Sequence, residues 1–289
     1  MNILKSLGFE SLIFFLIVFN VHGQDDTWKN LLDEDLSQWD RFMGVPHYSI
    51  EGLKDIPKGN GMEGTPLGLN NDPLNVFSVK RIDGELVLYI SGQIYGGLTS
   101  KERYGNYHLK MDFKWGVKKW EPRLNDKRDN GILYHCNGPH GAFWNVWMKS
   151  QEFQVQEGDM GDYFGLAGAV NRTKAVRDED GFYAYNPDGE AVVLGTVMEG
   201  DKMYRCVRTQ NHEKPNGEWN SLELICFNGK SWHIVNGQVV MVLEKALEKT
   251  EEGFQPVVSG KLQIQSEAAE AFYRNIKIKT LDNLPDFLK

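Results

Sequence analysis

Side-chain alternation with a period of two constrains this chain more than any other feature. Leu109, Met111 and Phe113 fall on one face of a segment whose other face carries Lys110, Asp112 and Lys114. The same period returns where Phe153 and Val155 oppose Glu152, Gln154 and Gln156. Such alternation sends one set of side chains to a buried sheet face and the other to water. Hairpin signals punctuate it: Asp83-Gly84 joins Phe77–Lys80 to Glu85–Ser91, and Asn236-Gly237 joins Ser231–Val235 to Gln238–Leu243. Further strands are expected at Tyr107–Trp115, Ile132–Cys136, Val192–Val197, Ser221–Phe227, Lys261–Gln265 and Phe272–Lys279. Only Met241 to Glu251 has a helical composition. Segments 45–75 and 166–200 read as long loops, irregular above all over Val45–Asn75 and Leu166–Gly189. Many short strands with Gly-rich turns predict an all-β fold, a two-sheet antiparallel jelly-roll sandwich.

The first 23 residues read as an export signal: Lys5 is the positive start, Ser11 to Val21 the apolar run, and Val21-His22-Gly23 the cleavage region. That run is too short to span a bilayer, so no membrane span is expected after signal removal. Residues 24–289 are expected to form a single domain, periplasmic or secreted. The formal charge is −8, and no basic stripe exists to neutralise phosphates, which argues against nucleic acid as a partner. Cys136, Cys206 and Cys226 lack metal-type spacing and read as buried small residues, with a Cys206–Cys226 bridge left open.

Candidate chemistry gathers on the polar faces. Gln151 to Gly165 begins as a strand and ends in the acidic turn Glu157-Gly158-Asp159-Met160-Gly161-Asp162. The bland reading is a solvated face followed by a surface turn. The sharper one places Lys114, His135, Glu152, Gln154 and Gln156 on one concave surface with Gln263, Gln265 and Glu267 of a late strand. By alternation His135 points with Leu133, opposite Ile132 and Tyr134. Carboxylates and amides read sugar hydroxyls, and Trp144 and Trp147 offer rings that stack on sugar faces. His135, Glu152, Glu157 and Asp159 are suitable ligand types for a divalent metal ion, although no spacing motif supports one. A retaining glycosidase needs two carboxylates on facing positions. Here the strand offers Glu152 alone, since Gln154 and Gln156 follow it and Glu157 falls on the other face; a second would have to come from Glu267 or the acidic turn.

Six segments in order carry a family resemblance: LTSKERYGNYHLKMDFKWG (Leu98–Gly116), DNGILYHCNG (Asp129–Gly138), EFQVQEGDMGDYF (Glu152–Phe164), GEWNSLEL (Gly217–Leu224), WHIVNGQVV (Trp232–Val240) and QIQSEAAEAFYRNIKIK (Gln263–Lys279). Together they resemble the 3-keto-disaccharide hydrolase domain, also described as 3-keto-glucoside-1,2-lyase and 3-keto-2-hydroxy-glucal hydratase. The resemblance implies a concanavalin- or laminarinase-like jelly roll, export to the periplasm, and action on oxidised glycosides. A ketone at C3 acidifies the C2 proton, so one base can start β-elimination of the C1 aglycone, and water can add back to complete a net hydrolysis. On this reading His135 or Glu152 is the base, Lys114 or a bound divalent cation the electrophile, and Glu267 the acid. Gln154, Gln156 and Gln265 would hold hydroxyls, with Trp144 and Trp147 against the substrate. A sugar 3-dehydrogenase that makes the 3-keto-glycoside is implied as a functional partner. A non-catalytic carbohydrate-binding module and a conventional jelly-roll glycoside hydrolase are the competing readings.

Overall fold

A computed structural model of the protein describes residues 27–179, 181–199 and 202–289; the export signal expected at residues 1–23 lies outside the described residues. Two layers of antiparallel strands face each other. The first runs, in spatial order, Trp39–Met43, Gly96–Ser100, Lys261–Ser266, Gly131–Asn137, Lys149–Gln154 and Tyr163–Leu166. The second runs Phe77–Ile82, Glu85–Ile90, Ala269–Thr280, Tyr107–Lys119, Asn220–Phe227, Lys230–Val235, Gln238–Thr250 and Ala169–Arg177. Early strands pair with late ones in both layers, the interleaving expected of a jelly roll. Tyr183–Tyr185 and Cys206–Val207 form a parallel pair at the margin. Among the described residues no helix is long and apolar enough to cross a membrane.

The alternation expected over Tyr107–Trp115 holds. Leu109, Met111, Phe113 and Trp115 are buried, and Phe113 packs with Ile132, Tyr134, Phe153, Tyr163 and Tyr273 in the core between the layers. Lys110, Asp112 and Lys114 face outward from the second layer. There Lys110 meets Glu223 at 3.0 Å and Asp112 meets Arg274 at 3.1 Å. Lys114 Nζ lies 4.8 Å from the centre of the Trp219 ring and 5.3 Å from that of Phe272.

Two expectations about secondary structure fail. Met241 to Glu251 is not helical; it belongs to the Gln238–Thr250 strand, where pairing with Ser231–Val235 and Ala169–Thr173 overrides local composition. Leu166 to Gly189 contains the nine-residue strand Ala169–Arg177. Its buried positions include Asn171 and Thr173, so no apolar alternation announces it. Asn171 Nδ2 donates to Gln151 Oε1 at 3.3 Å, and Thr173 Oγ1 donates to Val242 O at 2.7 Å. These polar side chains are tolerated inside because each has a partner. All three cysteines are free and buried, so Cys206 and Cys226 do not form a bridge.

Phe153 ties the central strand of the first layer to the core. It is fully buried and stacks on His233, with centroids 4.3 Å apart at 11°. Phe153→Ala should destabilise the fold by about 3–5 kcal/mol, read as a lower urea midpoint at unchanged m-value.

Candidate active site

Glu152 and Gln154 lie on the face of their strand opposite Phe153, as alternation requires, but that face is not wet. Every residue from Ser150 to Val155 is buried. A cover built from Arg123 and the loop carrying Phe143, Trp144 and Trp147 encloses a cavity of about 190 Å³ above Glu152 and Gln154.

Strand register sorts the cavity's walls. At one end Asp129 and Glu267 form an isolated bridge. Next, Gly131 pairs with Gln154, and then Glu152 sits between Leu133 and Phe164. Further on, Leu166 packs with Phe143, Trp147 and Phe164 in an apolar cluster. The cavity is therefore polar at the Asp129–Glu267 end, apolar at the Leu166 end, and Glu152 stands at the boundary.

Arg123 organises the polar end. Its Nη2 lies 2.6 Å from Asp129 Oδ2 and its Nη1 lies 2.9 Å from Glu267 Oε1. Gln156 Nε2 donates to the same Asp129 Oδ2 at 2.5 Å. Burial pushes the Asp129 carboxyl up to about 6 against the pull of Arg123 and Gln156. Burial, reinforced by the charge on Asp129, also raises Glu152 and Glu267 well above the usual carboxylate range. One guanidinium cannot fully compensate three buried carboxylates, so the cluster holds its protons to higher pH than free carboxyls do. Three buried polar atoms on these walls have no hydrogen-bond partner in the protein: Arg123 Nε, Asp129 Oδ1 and Gln265 Oε1. Buried polar atoms are normally paired, so these three are open to a further partner.

Gly131 makes the convergence possible. A Cβ there would lie 2.3 Å from Glu152 Oε1 and 2.4 Å from Gln265 Oε1, so any larger residue would push the two side chains off the cavity floor. Asn130 secures the same segment: its Nδ2 donates to Gln265 O at 2.7 Å, and its Oδ1 accepts from Tyr273 Oη at 2.6 Å.

Of the expected site residues, Glu152, Gln154, Gln156, Gln265, Glu267, Trp144 and Trp147 all line this cavity. Gln263 lies outside it, fully buried with its amide donating to Thr99 Oγ1 at 2.7 Å. His135 and Lys114 are not brought to it. A bulge breaks the strand's alternation after Tyr134, and His135 takes a left-handed φ of 50°. Its ring turns towards Tyr107 and Tyr134 instead of following Leu133. Burial, helped by Arg103, pushes it down to about 4, which keeps it neutral. Lys114 is on the outer face of the opposite layer, against Trp219 and Phe272.

The metal set does not assemble either. Glu157 is held by Arg128 at 3.1 Å and Asp159 by Lys127 at 2.8 Å, while Asp162 pairs with Arg208 at 2.8 Å. The acidic turn is neutralised by protein cations and serves as a structural clasp. Among the described residues no group of three or more His, Cys, Asp or Glu side chains could hold a metal ion.

Residues 27–279 match the 3-keto-alpha-glucoside-1,2-lyase-like domain. The chain belongs to that family. Crystal structures of two candidate glycosyl hydrolases from Parabacteroides distasonis are similar to this 3-keto-alpha-glucoside-1,2-lyase-like chain. One is 21% identical and aligns over 71% of this chain and 83% of its own, with a TM-score of 0.42. The other is 18% identical over 88% and 100%, with a TM-score of 0.46. A beta-glucanase from Bacillus licheniformis is 11% identical over 88% and 97%, with a TM-score of 0.38. No curated protein matches the chain.

Sequence reasoning missed Arg123, Asp129 and Gly131. Arg123 sits in a charged loop where alternation says nothing, and only the Asp129-Asn130-Gly131 turn leading into a strand hinted at a special position.

A raised carboxyl has a consequence for stability. The folded state keeps the Glu152 proton that the unfolded chain releases near the ordinary Glu value, so stability is lost as pH rises above that value. Glu152→Gln imitates the protonated form and cannot lose a proton. Its urea midpoint should rise relative to wild type as pH goes from about 5 to about 8. A constant difference across that range would mean that Glu152 is ionised in the fold.

Proposed function

We propose that the cavity cleaves 3-keto-glycosides by β-elimination, followed by hydration of the resulting 3-keto-2-hydroxy-glucal. The observation that carries this reading is the unpartnered pair on one ion-pair cluster: an acceptor at Asp129 Oδ1 and a donor at Arg123 Nε. In elimination, Asp129 takes the C2 proton, and the C2–H electrons form an enolate whose negative charge collects on O3. Arg123 Nε donates to that oxygen as its charge grows, which is where an oriented cation is most effective. The enolate then collapses to the C1=C2 enone and expels the aglycone oxygen, which takes the proton that Glu152 has kept. Hydration reverses the proton roles. The Glu152 carboxylate accepts a proton from water as the oxygen adds to C1, and protonated Asp129 returns its proton to C2. Atoms and charges balance over the cycle, and both carboxyls end as they began. Glu267 holds the second arm of Arg123, and Gln154, Gln156 and Gln265 hold hydroxyls.

These roles differ from those expected from sequence. The base passes from His135 or Glu152 to Asp129, the acid from Glu267 to Glu152, and the electrophile from Lys114 or a cation to Arg123. A conventional glycosidase is not short of carboxylates here, since segments flanking neighbouring strands bring Asp129 and Glu267 to the cavity that Glu152 lines. It passes through a positive, oxocarbenium-like transition state, for which a guanidinium donor is poorly suited. Export by the N-terminal segment and supply of substrate by a sugar 3-dehydrogenase belong to the same proposal.

Purified protein is incubated with a 3-keto-glucoside and with its unoxidised parent, with and without chelator, while enone absorbance and released aglycone are followed. The expected result is turnover of the keto substrate alone, insensitive to chelation. Asp129→Asn should lower kcat/KM by about 10²–10⁴-fold, and Arg123→Met by about 10²–10³-fold. Because Asp129 acts as the anion, wild-type kcat/KM should rise with pH through about 6 and fall again once Glu152 loses its proton. Equal turnover of the parent would favour a conventional glycosidase, and no turnover of either would remove the elimination reading. Activity lost to chelator and restored by a divalent ion would give the electrophile's role to a cation.

A further inference from the structure

The apolar half of the cavity has no role in the chemistry above, yet its composition is specific. Phe164 and Leu166 form its floor beyond Glu152, and Phe143 and Trp147 stand over them. Trp147 is almost fully buried and its Nε1 is committed to Gly96 O at 3.0 Å. Trp144 differs. It is 39% exposed, stacks on Phe143 with centroids 4.7 Å apart at 27°, and lies 5.7 Å from Trp147. Its backbone is left-handed, with φ of 51°, as is that of Asn145 at 57°. Asn145 Nδ2 donates to Met62 O at 2.8 Å, anchoring this turn to the long 45–75 segment. The indole is thus displayed at the rim by a braced loop.

A cavity of about 190 Å³ is smaller than the roughly 300–1,000 Å³ of sites that enclose a drug-sized ligand. It takes one ring and leaves the next group at the mouth. If the oxidised sugar occupies the polar end with its C1–O bond beside Glu152, the aglycone is directed along the apolar wall to Trp144. This placement rests on the elimination reading. A second sugar there would bring several hydroxyls to Phe143, Trp144, Phe164 and Leu166, which offer no polar side-chain partner except the indole N–H of Trp144. A flat aromatic group would gain offset stacking on the indole and bury apolar surface.

We propose that Phe143, Trp144, Phe164 and Leu166 form an aglycone subsite for aromatic groups, with Trp144 as the residue that sets the preference.

The test compares benzyl and methyl 3-keto-glucosides, whose alcohol leaving groups are close in basicity, so a difference reports binding of the ring. A 3-keto-disaccharide is the third substrate. Wild type should favour benzyl over methyl in kcat/KM by about tenfold, and benzyl over the disaccharide. Trp144→Ala should collapse the benzyl-to-methyl ratio towards one, mainly through KM for benzyl, and Trp144→Phe should restore most of it. A ratio maintained in Trp144→Ala would overturn the proposal, as would a wild-type preference for the disaccharide. Calorimetric binding of the same ligands separates the two readings. If nothing is turned over but benzyl binds more tightly than methyl in a Trp144-dependent way, the subsite stands and the reaction falls. If turnover occurs without any benzyl preference in rate or binding, the reaction stands and the subsite falls.

Discussion

Arg123 is shared by two carboxylates on either side of a single bridge between chain segments, Asp129 at 2.6 Å and Glu267 at 2.9 Å. The rest of the site depends on this sharing. Removing a carboxylate from water is costly, and a buried acid either finds a cation or keeps its proton. Arg123 satisfies part of that demand and leaves Glu152, on the next level of the sheet, without a cation of its own. The same burial therefore yields two kinds of carboxyl within one cavity. Asp129 is raised to about 6, whereas burial and the Asp129 charge push Glu152 well above the usual carboxylate range. Pairs of titratable groups whose surroundings drive them apart are the usual basis of acid–base division of labour.

That division could not be read from Gln151 to Gly165 alone. Alternation there correctly put Glu152 and Gln154 together opposite Phe153, because a strand's period is fixed by its backbone geometry. It could not say that the polar face would be roofed, since the roof comes from Arg123 in an earlier loop and from the Phe143–Trp147 loop just before the strand, whose folding back no period announces. The late-strand residues Gln265 and Glu267 were found for the same reason as Glu152. Arg123 and Asp129 were not, because a loop has no period from which to infer direction.

His135 and Lys114 show two other ways in which a pattern can mislead. Alternation over Ile132–Cys136 predicts His135 beside Leu133, but a single bulge reverses the side chain and leaves Cys136 on Leu133's face. Bulges break the period of two locally and often sit beside functional sites. Lys114 obeys its period completely and is still far from Glu152, since alternation states which face a residue takes but not which layer its strand joins. The Ala169–Arg177 strand was hidden by its buried polar residues, Asn171 and Thr173, whose hydrogen bonds are made to distant segments.

The polar-to-apolar gradient of the cavity adds a constraint on how a lyase and a hydratase could share one site. On the proposed assignment, Glu152 stands where the scissile C1–O bond would lie, between groups that read hydroxyls and rings that read an aglycone. Departure of an aromatic aglycone would vacate the apolar mouth, and that opening leads back to Glu152. On the same assignment Glu152 would by then have given up its proton and be an anion against Phe164 and Leu133, a state that burial disfavours. A water molecule arriving through the vacated mouth would offer that carboxylate the proton it lacks as its oxygen adds to C1 from the side the aglycone left. The burial that raises Glu152 would therefore also make it a strong base in the second half-reaction, and on this assignment the two activities would need no separate catalytic groups.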